Sequence, residues 1–273
     1  MTPTFRQAER IIWRGDAPDP ATEPRRVPEE TPIALSYESA SYAVMMATPS
    51  DLEDFAIGFS LNERIVGSAA DIEELDVVAA ENGIVLRMAL ADGAAEAFWS
   101  RRRRIAGPSG CGLCGIESLS EALAPPRRVG PGPRISGAEI FAAMAALPAL
   151  QPMNRMTGAL HAAALWTPDE GIVLVREDVG RHNALDKLTG AAARAARNGA
   201  DGVVLLTSRV SVEMVQKAAS FGATIVVAVS APTALALRAA HEAGITLIAV
   251  ARHDGFELFT HPDRVRRWRR TVE

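Results

Sequence analysis

Three short apolar runs late in this chain, VVLLT at 203–207, IVVAV at 225–229 and LIAVA at 247–251, restrict its fold more than any other feature. None alternates with polar residues, so each predicts a strand buried on both faces. Helical stretches separate them: one covers 212–221, and a second covers 232–243, opened by Pro232 and closed by Gly244. Ahead of this repeat the pattern predicts a hairpin (160–166 with 172–176, turned at 168–171) and a helix over 183–197 that Asn198-Gly199 stops. A strand at 256–260 pairs back. Apolar strands joined by helices of this length predict an α/β unit whose sheet is largely parallel and covered on both faces.

A parallel sheet turns sequence position into a candidate site, because ligands of open α/β sheets collect beyond the carboxyl ends of the strands. The segments leaving those ends are TSRVS (207–211), SAPT (230–233) and VARHDG (250–255). The candidate binding residues are therefore Ser208, Arg209, Ser230 and Thr233, with Val250, Ala251, Arg252, His253, Asp254 and Gly255. Two of these segments run into helix N-termini, where unpaired N–H groups favour anions. Arg209 and Arg252 would face the same edge, which suits a phosphate-bearing ligand. The plain alternative is a set of ordinary turn residues and solvated arginines.

The first half of the chain reads differently. Residues 1–30 carry prolines and charges without periodicity and predict an extended arm. A smaller α+β domain follows over 31–106. It has strands at 33–37 and 42–47, and a hairpin (77–80 with 84–90) around Asn82-Gly83. Between them Leu52, Phe55, Ala56 and Phe59 recur at helical spacing behind a capping box of Ser50 and Glu53. Glycine and proline dominate 107–134, which predicts a cysteine-bearing loop and linker. A second capping box, Ser136 with Glu139, opens the C-terminal α/β domain over 135–273, its first helix halted at Pro148.

Composition narrows the class. The 273 residues are 48% hydrophobic with a net charge of −4, as expected of a packed soluble protein. No apolar run has the length of a membrane span, and the start is too charged for a secretory signal. The arginines between Arg264 and Arg270 read as a solvated helix face, since an acidic chain is a poor partner for nucleic acid. Lys187 and Lys217 are the only lysines; all other basic side chains apart from histidine are arginine.

The two cysteines, Cys111 and Cys114, stand in CGLCG, where no neighbour belongs to an apolar pattern. Structural cysteines are usually buried, so this setting points to sulfur chemistry. Arg101–Arg104 precede the motif, and a helix expected over 116–123 would turn its positive end toward Cys114; both favour thiolate. A C-x-x-C admits three uses: half a zinc site, a redox disulfide or a sulfur carrier. Zinc lacks a second ligand pair, and the motif does not open a helix of a βαβ unit as a thioredoxin-like pair would.

Other motifs argue by their absence. There is no G-x-G-x-x-G, P-loop or H-E-x-x-H. A zinc deaminase would need H-x-E, but Ala163 follows His161 at that spacing, and the cysteines come too early. His161, in TGALHAAAL, reads as a hydrogen-bonded core histidine. The stretch from Asp178 to His182 crosses a strand-to-helix turn, where functional polar groups are often mounted.

Taken in order, CGLCG, TGALHAAAL, REDVGRHNALDKLTG, SRVSVEMVQKAA, SAPTALALRAAHEAGITL and ARHDGFELFTHPDRV resemble the formate dehydrogenase accessory sulfurtransferase family, FdhD. TPSDLEDFAIGF in the first domain resembles it too. The likeness covers residues 30–265. It implies a cytoplasmic sulfur carrier that takes sulfur from a cysteine desulfurase as a persulfide. It implies that the sulfur passes to the bis(molybdopterin guanine dinucleotide) molybdenum cofactor, held mainly through its guanine nucleotide part, for the client formate dehydrogenase. Cys111 matches the persulfide-bearing position and Cys114 its partner, while 250–255 matches the cofactor-binding stretch. The resemblance implies a cytidine deaminase-like α/β/α layering without a metal. A homodimer or the partner enzymes would engage the arm and the C-terminal arginines. The chain departs from the family pattern at Ala159, Ser208 and Val250. Two other functions share these features: a cofactor-binding chaperone without sulfur transfer, and a dithiol oxidoreductase.

Overall fold

The computed structural model of the protein describes residues 2–18, 23–105 and 125–266, the side chains of Pro18 and of 101–105 excepted. Its first segment is not a bare arm. Strands β1 (Phe5–Ala8), β2 (Trp13–Arg14), β3 (Ala17–Pro18) and β4 (Arg25–Pro28) form a ribbon in which β1 pairs antiparallel with β4 and β2 with β3. Such short, at most half-buried strands leave no periodic trace in sequence. Arg25 anchors the ribbon from outside by donating to the carbonyl of Thr157 at 2.9 Å, and Arg6 pairs with Glu29 just beyond β4.

The next unit comprises β5 (Thr31–Tyr37), β6 (Ala40–Ala47), α1 (Leu52–Asn62), β7 (Ile72–Ala80), β8 (Gly83–Leu90) and α2 (Asp92–Ile105). The strand order is β6-β5-β8-β7, with β5 and β8 parallel. Alternate residues of β5 and β8 (Ile33, Leu35, Tyr37; Ile84, Leu86, Met88) point to one face and pack against Phe55, Phe59 and Phe98. One local expectation fails here, while the expected hairpin forms between β7 and β8 with a shorter turn. The N-cap of α1 is Asp51, in the left-handed region at φ 50°, so Ser50 and Glu53 form no capping box; Glu53 instead reaches Arg194 at 3.0 Å. The hairpin register pairs Ala80 with Gly83, so Glu81 and Asn82 make the turn. A Cβ on Gly83 would lie 2.3 Å from the carbonyl oxygen of Pro32, so this glycine serves the close β5–β8 approach rather than the turn.

The third unit starts with β9 (Ile135–Ser136), α3 (Gly137–Ala146), a 3₁₀ segment (Leu147–Leu150) and α4 (Pro152–Thr157). It continues with β10 (His161–Thr167), β11 (Gly171–Asp178), α5 (Arg181–Arg194), β12 (Val203–Leu206), α6 (Val212–Ser220), β13 (Ile225–Ala228), α7 (Ala234–Ala243), β14 (Thr246–Arg252), β15 (Gly255–Leu258) and β16 (Val265–Arg266). The sheet order is β11-β10-β12-β13-β14-β15. Only β12, β13 and β14 are parallel, so the sheet is mixed rather than largely parallel. Tight turns join β10 to β11 and β14 to β15, and such turns connect antiparallel strands only. Both faces are covered: Leu185, Leu188, Met214, Val215 and Ala240 of α5, α6 and α7 fill one side, and Ile140 and Ala143 of α3 the other. Asn198-Gly199 does not stop α5, which ends at Arg194; Asn198 caps a 3₁₀ turn at Gly199–Asp201.

The second capping box does form. The Ser136 hydroxyl accepts from the Glu139 N–H at 3.3 Å, and Glu139 accepts from the Ser136 N–H at 2.6 Å. The Ser136 hydroxyl, then Arg266, hold the Glu139 carboxyl down at about 2. Replacing Ser136 with alanine should cost about 1 kcal/mol in urea unfolding at neutral pH. A depressed carboxylate stabilises the fold above its unfolded value and ceases to as it protonates. The difference between Ser136→Ala and the native chain should therefore shrink as pH falls from 4.5 toward about 2.

The two larger units meet where α1 crosses α5. A Cβ on Gly58 would stand 1.7 Å from the Asp186 carbonyl oxygen, and one on Gly190 would stand 1.9 Å from that of Asp54. Glycine at both positions lets the two backbones touch. Buried charge closes the junction: Lys187 meets Asp178 at 2.6 Å, and Lys217 meets Asp186 at 3.0 Å and Glu63 at 2.7 Å. Burial pulls Lys217 down, but the two carboxylates outweigh it and its ammonium is held above the ordinary lysine value.

Candidate functional site at the carboxyl edge of the sheet

Because β12, β13 and β14 are parallel, the segments that follow them emerge at one edge, and backbone bonds join them there. The Val210 N–H donates to Ala231, the Thr233 N–H to Val210, and the Val250 N–H to Ser230. Ser208, Arg209, Ser230, Thr233 and 250–255 are thus brought together. Their side chains differ in availability. Arg209, Arg252, His253 and Asp254 are exposed, whereas Ser208 is buried and donates to the Arg209 carbonyl at 3.1 Å. Thr233 caps α7 by accepting from the Ala236 N–H, and Ala251 packs into the α3-side core. Val250 has φ 50°, a conformation that strains a β-branched residue, and it sits in a register shift between Ala249 and Arg252. Strain of this kind persists where surrounding structure enforces it, often beside a ligand.

Other residues reach the same edge from β10 and β11, whose sense opposes or follows that of β12. His161 pairs with Asp178 across the β10–β11 ladder, and the Thr207 N–H donates to the Ala162 carbonyl. His161 is therefore a half-buried residue at the rim, not a core histidine. Its pKa is lowered by burial and then by the nearby Arg181 charge. Asp178 fixes the turn that follows: one carboxylate oxygen accepts from the Gly180 N–H and Asn183, the other from the Thr48 N–H. That turn delivers Arg181 and His182 to the head of α5. Burial, then Arg181 and Lys217, lower His182 to about 4, and its Nε2 lies 3.8 Å from Glu213. The sequence singled out the Asp178–His182 turn, but nothing in it tied that turn to His161 or to 207–211; the antiparallel placement of β10 does so.

Cys111, Cys114 and the helix expected over 116–123 lie outside the described residues. A cleft of about 1140 Å³ opens at the other end of α5, bordered by Arg64, Asp71, Ala94, Arg127 and Arg197, and shares no residue with the sheet edge. Among the described residues, no three His, Cys, Asp or Glu side chains cluster as metal ligands, and no helix is long and apolar enough to cross a membrane.

Comparison with known proteins adds identity to this geometry. A protein called sulfur carrier protein FdhD from Agrobacterium fabrum is 50% identical over 267 residues, 96% of each chain. One of the same name from Brucella abortus is 52% identical over 242 residues, 88% of this chain and 90% of the relative. A crystal structure of a candidate formate dehydrogenase accessory protein from Desulfotalea psychrophila superposes with a TM-score of 0.73 at 23% identity, over 96% of this chain and all of that one, and so shares its fold. The model of the FdhD/NarQ family matches residues 28–266, and with relatives this similar along nearly their full length, the chain belongs to that family.

Proposed function

We propose that the protein is a sulfur carrier for formate dehydrogenase maturation, with Cys111 as the loaded residue. The observation that carries this reading is the half-identical match, end to end, to proteins named sulfur carrier protein FdhD. In the loading step the Cys111 thiolate attacks the outer sulfur of a cysteine desulfurase persulfide. The donor S–S bond breaks, the donor leaves as thiolate, and a Cys111 persulfide forms, with no net change in oxidation state. In the delivery step the Cys114 thiolate attacks the inner sulfur of that persulfide. Hydrosulfide departs, carrying two electrons from the two thiols, and a Cys111–Cys114 disulfide remains for a cellular dithiol to reduce. The acceptor is the bis(molybdopterin guanine dinucleotide) cofactor, here a cargo rather than a resident group.

Ser208, Arg209, Ser230, Thr233 and 250–255 hold that cargo in this reading. Gathered arginines, a strained backbone at Val250 and two helix N-termini on one edge fit an anionic nucleotide. The helices on both faces of the sheet suit the cytidine deaminase-like layering, and the setting would be cytoplasmic, with a homodimer as the working state. The test is intact mass spectrometry after mixing the protein with a cysteine desulfurase and cysteine. A gain of one sulfur atom, removed by dithiothreitol, is expected; an unchanged mass overturns the proposal.

A further inference from the structure

We infer that the outer face of α3 is where two copies of this chain meet, which gives the homodimer of the sulfur-carrier reading its surface. From 137 to 150 every exposed residue is apolar, including Ala138, Phe141, Ala142, Ala145, Ala149 and Leu150, while Ile140, Ala143 and Leu147 pack on the sheet. Phe141 is 39% exposed and Leu150 44%. A helix that is apolar all round is normally covered on every side. The alanine-rich composition does not account for this face, because α1, α2, α4, α5 and α7 each expose a charged side chain: Glu53, Glu96, Arg155, Arg194 and Arg238.

The helical layer on this side of the sheet is narrow. Three helices, α5, α6 and α7, cover the opposite face, whereas α3 and its 3₁₀ extension cover this one. Six strands span about 24 Å and a helix about 10 Å, which leaves the borders of the face open. Ile172 and Val175 of β11 and Phe256 of β15 stay half-buried there. Phe141 packs against Phe256 with ring centroids 5.3 Å apart, and pairing with Ile248 turns Leu258, 37% exposed, to the same side. The surface runs about 20 Å along the helix and is widened by β15, so it can form the apolar centre of a contact that takes about 800 Å² from each partner. Its exposed alanines let two helices approach to about 8 Å.

Charge selects a second copy as the occupant. A two-fold contact sets the same patch against itself, so a charged surface repels its copy and an uncharged one does not. Glu139 is the only ionisable residue between 137 and 150, and the Ser136 N–H and Arg266 already hold it. The face therefore offers a charged partner nothing to pair with. The remaining segments of the chain itself suit it no better. Residues 267–273, which follow Arg266, carry three arginines that would find no free carboxylate on α3. Arg127, two residues after the described chain resumes, borders the cleft beside α5 and α6, on the opposite face of the sheet.

Light scattering on the full-length protein after gel filtration, at about 1 to 100 μM, tests this. The native chain should have twice the mass of a single chain. Ala145→Glu sets two carboxylates into the apolar contact and should raise the dissociation constant at least about a hundredfold, giving a single-chain mass at the low end of the range. Leu150→Arg, at the far end of the face, should act in the same direction. Ala234→Glu adds the same charge at an exposed position in α7 and should leave two chains together. All three positions are exposed, so circular dichroism should show the variants melting as the native chain does. A native chain of single-chain mass throughout overturns the α3 contact. So does a two-chain Ala145→Glu, which would put the contact on another face. Association seen only after a cysteine desulfurase or a formate dehydrogenase is added also overturns it, because the face would then dock a different protein. Sulfur loading is read separately by intact mass: a chain that pairs but gains no sulfur sinks the carrier reading alone, and a single-chain protein that gains sulfur sinks the contact alone.

Discussion

A Cys111→Ala chain should take up no sulfur from a desulfurase and should leave formate dehydrogenase inactive, while binding guanine nucleotide as the native chain does. The thiolate is the attacking species in persulfide exchange, and alanine offers no substitute atom. Cys114→Ala separates the two halves of the cycle. It should gain the same single sulfur, but without an internal thiolate to expel hydrosulfide the added mass should persist after the acceptor is supplied. Each rival makes a contrary demand. If the double alanine variant still activated the client, the protein would be a cofactor chaperone. If the native pair turned over disulfide substrates, it would be an oxidoreductase. Intact mass and client activity, measured on the same preparations, decide among them.

The legible parts of this fold were those governed by local rules. The runs at 203–207, 225–229 and 247–251 became β12, β13 and β14, because a strand buried on both faces must be apolar at every position. Gly244 closed α7 in the left-handed region at φ 76°, as a C-terminal glycine should. What failed depended on partners remote in sequence. Ser50 and Glu53 have the spacing of a capping box, yet Asp51 takes the N-cap and Glu53 turns to Arg194 on another unit. Asn82-Gly83 does mark the β7–β8 hairpin, but the turn itself is Glu81-Asn82, because Gly83 pairs with Ala80 and lies close against Pro32 of a neighbouring strand. The ribbon of β1 to β4 left no signal, because its strands are too short and too exposed to show a period.

The candidate site divides in the same way. The strand-end segments were readable because parallel strands send their carboxyl ends one way. His161 was not, since its place at the rim follows from the antiparallel entry of β10 beside β12, which no local pattern announces. One overlooked signal lay in composition. In a chain that otherwise uses arginine, Lys187 and Lys217 are the two exceptions, and both are buried in ion pairs where α5 and α6 meet the first sheet unit. A compact ammonium fits a closed site that a planar, forked guanidinium would overfill. The residue choice therefore reported burial before any coordinates did.

Lys187→Met should lower stability by about 3–5 kcal/mol, because it leaves the Asp178 carboxylate buried without its counter-charge. Neither side chain is accessible to solvent, so water cannot take the place of the lost ammonium. Asp178 would keep the Thr48 and Gly180 N–H donors and Asn183, which orient it but carry no full charge. The Thr48 carbonyl would lose its bond from Lys187, loosening the seam between β6 and α5. Lys187→Arg should also destabilise, by overpacking. Adding Asp178→Asn to Lys187→Met should recover part of the loss, since a neutral amide needs no cation, although it gives one oxygen the wrong polarity for the N–H groups it meets. Urea unfolding of the two single variants and the double variant yields the coupling energy, and a loss below about 1 kcal/mol for Lys187→Met would show the pair to be dispensable.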